Sequence, residues 1–258
     1  DLSKMSYKDW QKIRGDKVSM IFQDSLAALN PMKRIGEQIA EAMYVKKKYS
    51  KKHARTRAIE LLEMVEIPDP QRRSRQYPHE CSGGMRQRAM IAMAISNSPD
   101  LLICDEPTTA LDVTVQAQIL EMIKKLQLEM GMAVILVTHD LGVVSAVTDR
   151  VNVMYASKII ETGDTHNLMT NPMHPYTNAL LLAMPDISSE RGDLHAIPGV
   201  PPTLNRVFDL CPFGPRCQFH QPNCDIEVPA LISVGDVSED RKHACLHPLN
   251  QLMKVGEK

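Results

Sequence analysis

Asp105 and Glu106 end the apolar run Leu101-Leu-Ile-Cys104, and they are the most chemically loaded pair in the chain. An acid at the carboxyl end of a buried parallel strand reaches the crevice where open α/β sheets bind ligands. One carboxylate there suits Mg²⁺, and its neighbour suits a base acting on water. Ser82-Gly83-Gly84 opens an apolar stretch of helical character. Serine suits the N-cap, and two residues without Cβ leave the first amides open to an anion at the positive end of the helix dipole. Thr138-His139-Asp140 follows a second apolar run, which sets His139 beside Asp105 and Glu106 if the two strands are neighbours. Gln23 closes a shorter run, Val18 to Phe22. Taken singly, these motifs also read as solvated strand ends, an ordinary loop-to-helix junction and a structural histidine.

Such groups need rigid elements to hold them. Val18–Phe22 reads as a short strand ending in the polar break Gln23-Asp24-Ser25, with Asn30-Pro31 beyond. Leu101–Cys104 and Met132–Thr138 read as all-apolar strands joined by a helix over Val113–Met130. That pairing predicts a parallel sheet covered on both faces. Apolar residues recur at helical spacing from Ile35 to Tyr44 and from Lys52 to Val65, and the run Met85–Ile95 predicts a helix that stops before Pro99. The lysines from Lys46 to Lys52 read as a solvated turn. Val151–Tyr155 and Lys158–Thr162 predict a hairpin or paired edge strands. Proline becomes frequent beyond about Asn171, which divides an α/β domain over 1–170, with a helical part over about 25–98, from an irregular extension over 171–258.

Composition excludes several classes of function. With 30 Lys+Arg against 31 Asp+Glu, the formal net charge is −1, too little basic excess for a protein that grips nucleic acid by neutralising phosphates. The 43% hydrophobic content argues for a packed core. The longest apolar runs fall well short of the roughly 20 residues that cross a bilayer. The opening residues Asp1-Leu-Ser-Lys-Met5 show no charged-then-apolar leader, so the chain reads as cytoplasmic and as beginning inside a longer natural protein.

The order Gln23, Ser82-Gly83-Gly84, Asp105-Glu106, Ala110-Leu111-Asp112 and His139 resembles the ATP-binding subunit of an ABC transporter over nearly the whole chain. Phe22-Gln23 is similar to the Q-loop, Cys81 to Gln87 to the signature, Leu101 to Glu106 to the Walker B strand, Ala110 to Asp112 to the D-loop, and His139 to the switch histidine. His174-Pro175-Tyr176-Thr177 and Ile197-Pro-Gly-Val-Pro-Pro202, with Asn30-Pro31, resemble the oligopeptide, dipeptide and nickel importer branch. The resemblance implies an α/β fold, an ABC-type P-loop NTPase core truncated at the N-terminus, with a helical subdomain and an irregular Cys-containing extension. It implies ATP and Mg²⁺ bound between two such domains. Glu106 would act on the attacking water, His139 would touch the γ-phosphate, and Asp105 and Gln23 would hold Mg²⁺. Ser82, Gly83, Gly84 and Asp112 would face the nucleotide across the dimer interface. Implied partners are a second, homologous ATPase subunit, two transmembrane permease subunits and, indirectly, an extracytoplasmic solute-binding protein. The implied location is the cytoplasmic face of a bacterial inner membrane, with no role for nucleic acid.

One part of that pattern is missing. A phosphate-binding P-loop needs GxxxxGK[ST], and none of the 12 glycines is followed by lysine. Only 22 residues precede Gln23, where the family places that loop. The expectation is a fragment or mis-started reading frame, or else a chain that lends only its signature face to a partner's ATP, so that this polypeptide alone does not hydrolyse ATP. Met85 and Ser25, where many relatives have Gln and Pro, remove no reacting group.

Cys211, Cys217, Cys224 and Cys245 crowd the extension. Four thiolates on a proline-stiffened loop can surround one metal centre. The tight CxxC pair usual for zinc is missing, and iron–sulfur sites tolerate less uniform spacing. Zinc, free thiols and disulfides stay open as alternatives. Related importer ATPases carry a similar tail, some with a [4Fe-4S] cluster, and the resemblance implies one here. His220, His243 and His247 read as bystanders, and Cys81 and Cys104 as small apolar residues. An iron–sulfur redox or sensing module on a non-catalytic ABC remnant is the competing function. A soluble ABC protein of translation or DNA repair would show tandem ATPase domains or a basic insertion, and neither is in the sequence.

Overall fold

The computed structural model describes residues 1–24, 28–46, 49–109, 111–184, 196–204, 208–234 and 238–249. They form two compact units, Asp1–His139 and Asp140–Lys258. Ser25 and Ala110 lie outside the described residues. No helix among the described residues is long and apolar enough to cross a membrane.

The first unit opens with α1 (Tyr7–Ile13), capped by Ser6, whose hydroxyl accepts from Asp9 N at 3.2 Å. Then follow β1 (Val18–Ile21), α2 (Ile35–Tyr44), α3 (Lys51–Met64), the short α4 (Pro70–Arg73), α5 (Gly83–Ile95), β2 (Leu101–Asp105), α6 (Val113–Met130) and β3 (Ala133–Val137). The strands run parallel in the order β1-β2-β3, with Ile21 level with Cys104 and Asp105 level with Val137. The apolar side chains of α2, α3, α5 and α6 share one core with Ile21, Leu102 and Cys104. Helical and sheet parts are therefore packed as one body.

The other face of the sheet departs from expectation. Phe22 is 55% exposed, Ile135 50% and Val137 48%, with Met20 also exposed. These residues alternate with the buried ones at period two, so one face meets the core and the other meets solvent. All-apolar strands predicted cover on both faces. Here β3 shows the pattern exposed, half-buried, exposed along Ala133–Val137.

A close approach holds α2 in place. A Cβ on Gly36 would sit 2.8 Å from Ser74 Cβ and 2.9 Å from Ser74 O, and Gly36 N donates to that same carbonyl at 2.9 Å. Gly-to-Ala inside a helix ordinarily gains up to about 1 kcal/mol. Overlap with fixed backbone costs about 1–3 kcal/mol, so Gly36→Ala is expected to lose stability, with a lower urea midpoint at unchanged slope.

The second unit comprises α7 (Leu141–Val147), β4 (Arg150–Tyr155), β5 (Lys158–Asp164), α8 (Thr165–Thr170), α9 (Pro175–Leu182), β6 (Ile232–Val234) and β7 (Ser238–His243). The predicted hairpin β4-β5 is present, and it belongs to a four-stranded antiparallel sheet of order β4-β5-β7-β6. Its core gathers Val151, Val153, Tyr155, Ile160, Leu168 and Phe213.

Candidate functional site

Three of the sequence motifs meet at the carboxyl edge of the parallel sheet. Glu106 follows β2 with φ of 45°, a left-handed conformation uncommon for a residue with a side chain, and its N–H donates to Val137 O at 2.9 Å. That turn ties the end of β2 to the end of β3. Gln23 Nε2 donates to Glu106 Oε2 at 2.7 Å, and His139 Nδ1 donates to Oε1 at 3.0 Å. Each of the three parallel strands thus contributes one residue to a single carboxylate. Thr109 Oγ1 also donates to Oε2 at 2.8 Å, a partner that the motif reading did not name. Its only signal in the sequence is a hydroxyl three residues after Glu106 in a tight turn.

The hydrogen bond from His139 holds the Glu106 carboxyl below the usual carboxylate range, with Thr109 and then Gln23 acting in the same sense. Glu106 is therefore anionic throughout the neutral range. An ionised carboxylate that is half-buried, fixed by three donors and set at a strand terminus can accept a proton from a bound water. Asp105 lies one residue back, at the last position of β2 and level with Val137.

Ser82, Gly83, Gly84 and Asp112 form a second group in the same unit. Ser82 caps α5 by accepting from Met85 N at 3.3 Å, and Asp112 caps α6 by accepting from Val115 N at 3.0 Å. The glycines make these two helix starts contiguous. A Cβ on Gly84 would stand 3.0 Å from Val115 Cγ1, and one on Gly83 would stand 3.6 Å from Leu111 Cδ2. The missing side chains permit close helix packing and leave the first amides of α5 uncovered. No hydrogen bond joins this group to the Glu106 cluster among the described residues.

The second unit shows what the His174-Pro175-Tyr176-Thr177 segment does structurally. Glu161 of β5 is fully buried and accepts from Met173 N at 2.7 Å and His174 N at 2.9 Å, with Arg241 Nη2 at 3.9 Å. His174 caps α9 by accepting from Tyr176 N at 3.0 Å. Arg216 Nε donates to Pro198 O at 2.8 Å, and Gly199, at φ of 74°, passes against the Arg216 side chain. The first proline motif is therefore anchored by buried polar contacts and the second by an exposed one.

Burial pushes the His174 imidazole down to about 3, and the neighbouring His243 adds to the effect. The folded chain keeps His174 neutral, whereas the unfolded chain takes up a proton as pH falls through about 6.5. Its contribution is complete above that pH and is lost between about 6.5 and 3. At pH 5 the expected loss is about 2 kcal/mol, from 1.36 × (6.5 − 5). Urea melts at pH 7.5 and 5 check it, because His174→Asn keeps a capping oxygen but removes this part of the acid sensitivity.

Cys211, Cys217, Cys224 and Cys245 line one cavity of about 20 Å³, room for about one water. Burial raises the Cys211 and Cys217 thiols and pushes Cys245 up to about 12. Among the described residues, no group of three or more His, Cys, Asp or Glu side chains is arranged to hold a metal ion. The expected cluster ligands thus line one small cavity without forming a metal-holding group.

Comparison with known proteins agrees with both halves of the chain. Residues 1–109 match the family described as ABC transporter, and residues 160–224 match the oligopeptide/dipeptide transporter, C-terminal region. The oligopeptide transport ATP-binding protein OppD of Bacillus subtilis is 54% identical over 249 residues, covering 96% of this chain and 69% of its own length. The dipeptide transport ATP-binding protein DppD of Escherichia coli is 46% identical over 250 residues, covering 97% of this chain and 76% of its own. Among solved structures, the dimeric bacterial ABC transporter cassette MJ0796 superposes with a TM-score of 0.56 at 31% identity, over 62% of this chain and 68% of that one. The post-hydrolysis dimer of the same cassette, bound to ADP and Pi, gives a TM-score of 0.56 at 30% identity, over 63% of this chain and 68% of that one.

Proposed function

The chain belongs to the ATP-binding subunits of ABC transporters, a family of transport ATPases with a mixed α/β fold, and from that premise we propose that it is the energy-coupling subunit of an importer for oligopeptides or dipeptides. The observation that carries the catalytic half of this reading is the convergence of Gln23, Thr109 and His139 on Glu106. The related oligopeptide and dipeptide transport proteins support peptides over nickel as the solute.

In the proposed mechanism Glu106 orients a water and takes its proton, while His139 and Gln23 keep the carboxylate aimed and ionised. Mg²⁺ takes one or two protein ligands beside substrate phosphates, and Asp105 and Gln23 would supply them. Ser82, Gly83 and Gly84 present helix amides to the γ-phosphate of ATP held by a second cassette, with Asp112 fixing the neighbouring helix start. The dimeric state of the related cassette supports this division of labour. Residues 1–170 would act as the ATPase domain and 171–258 as the importer-type extension, at the inner face of the membrane beside two permease subunits.

For a [4Fe-4S] centre, Cys211, Cys217, Cys224 and Cys245 fit in donor type and number and do not fit in space, since their shared cavity of about 20 Å³ must open first. No step of the mechanism depends on it. The experiment that tests the importer reading is affinity purification of the tagged chain from detergent-solubilised membranes. Recovery of two transmembrane subunits and a second cassette supports it, whereas ribosomes, nucleic acid or no partner would defeat it.

A further inference from the structure

The second unit contains a larger, apolar cavity of about 460 Å³ that the transport reading leaves without a role. Its size falls within the range of small-molecule sites, about 300–1,000 Å³. Tyr155, Ile160, Phe213, Pro229 and Leu231 are among its lining residues. The aromatic part of the lining is held in place. The Tyr155 ring lies 4.7 Å from that of Tyr176 and 5.3 Å from that of Phe213, and its hydroxyl accepts from Arg216 Nη1 at 3.3 Å. Ala244 N donates to Ile160 O at 2.8 Å, tying two lining residues together. These contacts fix that part of the lining before any ligand arrives, so a ligand would meet a preformed surface.

The polar groups on its lining restrict what fits. His174 is buried, and its Nδ1 is committed to the Tyr176 amide. Lys158, at the exposed start of β5, is the charged side chain of the described lining and makes no ion pair or hydrogen bond among the described residues. The interior thus offers apolar and aromatic surface, and the rim offers one free ammonium. A dipeptide would have to set its own amine and amide against isoleucine and phenylalanine, at the cost of unpaired polar groups. We propose that this cavity binds a small amphipathic carboxylate, its apolar chain against Phe213 and Ile160 and its anionic end on Lys158. This goes beyond the transport reading and stands or falls apart from it.

Octanoate is the probe, titrated into the whole chain and followed by calorimetry and by the methyl resonances of Ile160 and Leu231. Saturation at one site is expected, with Kd on the order of 0.1–1 mM for a ligand of this size. Lys158→Gln weakens octanoate by about two- to fivefold, the loss of one exposed ion pair. Octan-1-ol binds the unaltered protein more weakly than octanoate does, and Lys158→Gln removes the difference. Leu231→Trp fills the cavity from a position already 39% exposed and abolishes binding. Lys158→Gln, on an exposed strand end, keeps the test decisive should the tryptophan disturb folding. Absence of saturation below about 10 mM, or equal affinity for octanol and octanoate, overturns the proposal.

Discussion

Glu106→Gln in the assembled transporter is expected to lower ATP turnover by about 10²–10⁴-fold while leaving the KM for ATP nearly unchanged. The substitution keeps the shape of the side chain. The amide oxygen still accepts from Thr109 or Gln23, which now reach Glu106 Oε2 at 2.8 and 2.7 Å. What disappears is the anion, and with it both the base and the acceptor of the His139 Nδ1 proton, 3.0 Å away. An effect confined to kcat separates loss of the base from loss of nucleotide binding. His139→Ala removes the donor that most lowers the Glu106 pKa, so it should shift the acidic limb of the pH–rate profile upward. The isolated 258-residue polypeptide, which has no GxxxxGK[ST], is expected to show no Mg²⁺-dependent turnover. Turnover by that polypeptide that is lost on Glu106→Gln would refute the division of the site proposed above.

Why the sequence revealed this site is a matter of geometry. Short apolar runs with polar ends are what parallel strands look like, and the ends of adjacent parallel strands lie at one edge. Once Val18–Ile21, Leu101–Asp105 and Ala133–Val137 are strands of one sheet, Gln23, Glu106 and His139 have little choice but to meet. Helices over Ile35–Tyr44 and Val113–Met130 were equally legible, because one apolar stripe facing a core writes a 3.6-residue period.

Other features leave no such local trace. The β6 and β7 strands pair Ile232 with His243 across the proline-rich extension, and β6 has only three residues, too few to show a period. Helix α1 depends on the Ser6 cap rather than on a buried face, since none of its residues is buried. Thr109 matters because a turn folds it back onto Glu106, and no periodicity marks such a contact. The open face bearing Phe22, Ile135 and Val137 was also hidden, since an apolar strand reads the same whether one side or both are covered. Glu161 is the sharpest case. Charged residues in a strand ordinarily mark its solvent face, yet this one is fully buried because two backbone N–H groups of a distant segment need an acceptor.

That burial makes Glu161→Ala the substitution with the largest expected cost to stability, about 3–5 kcal/mol. Removing the carboxylate strands the Met173 and His174 amides, now bonded at 2.7 and 2.9 Å, in a site closed to water. It also leaves Arg241, whose side chain is only 14% exposed and whose Nε already has no partner, without its nearest anion at 3.9 Å. Glu161→Gln retains one acceptor and turns an NH₂ group toward the second amide, so it should cost about half as much. The loss belongs to the second unit, because the clasp joins β5 to the start of α9 within it. Hydrogen exchange reads the effect directly. The Met173 and His174 amides should exchange orders of magnitude faster in Glu161→Ala, with intermediate protection in Glu161→Gln and an unchanged α6 helix in the first unit. If both amides stay protected and the melt is unaltered in Glu161→Ala, the carboxylate is not what holds the His174-Pro175-Tyr176-Thr177 segment against the sheet.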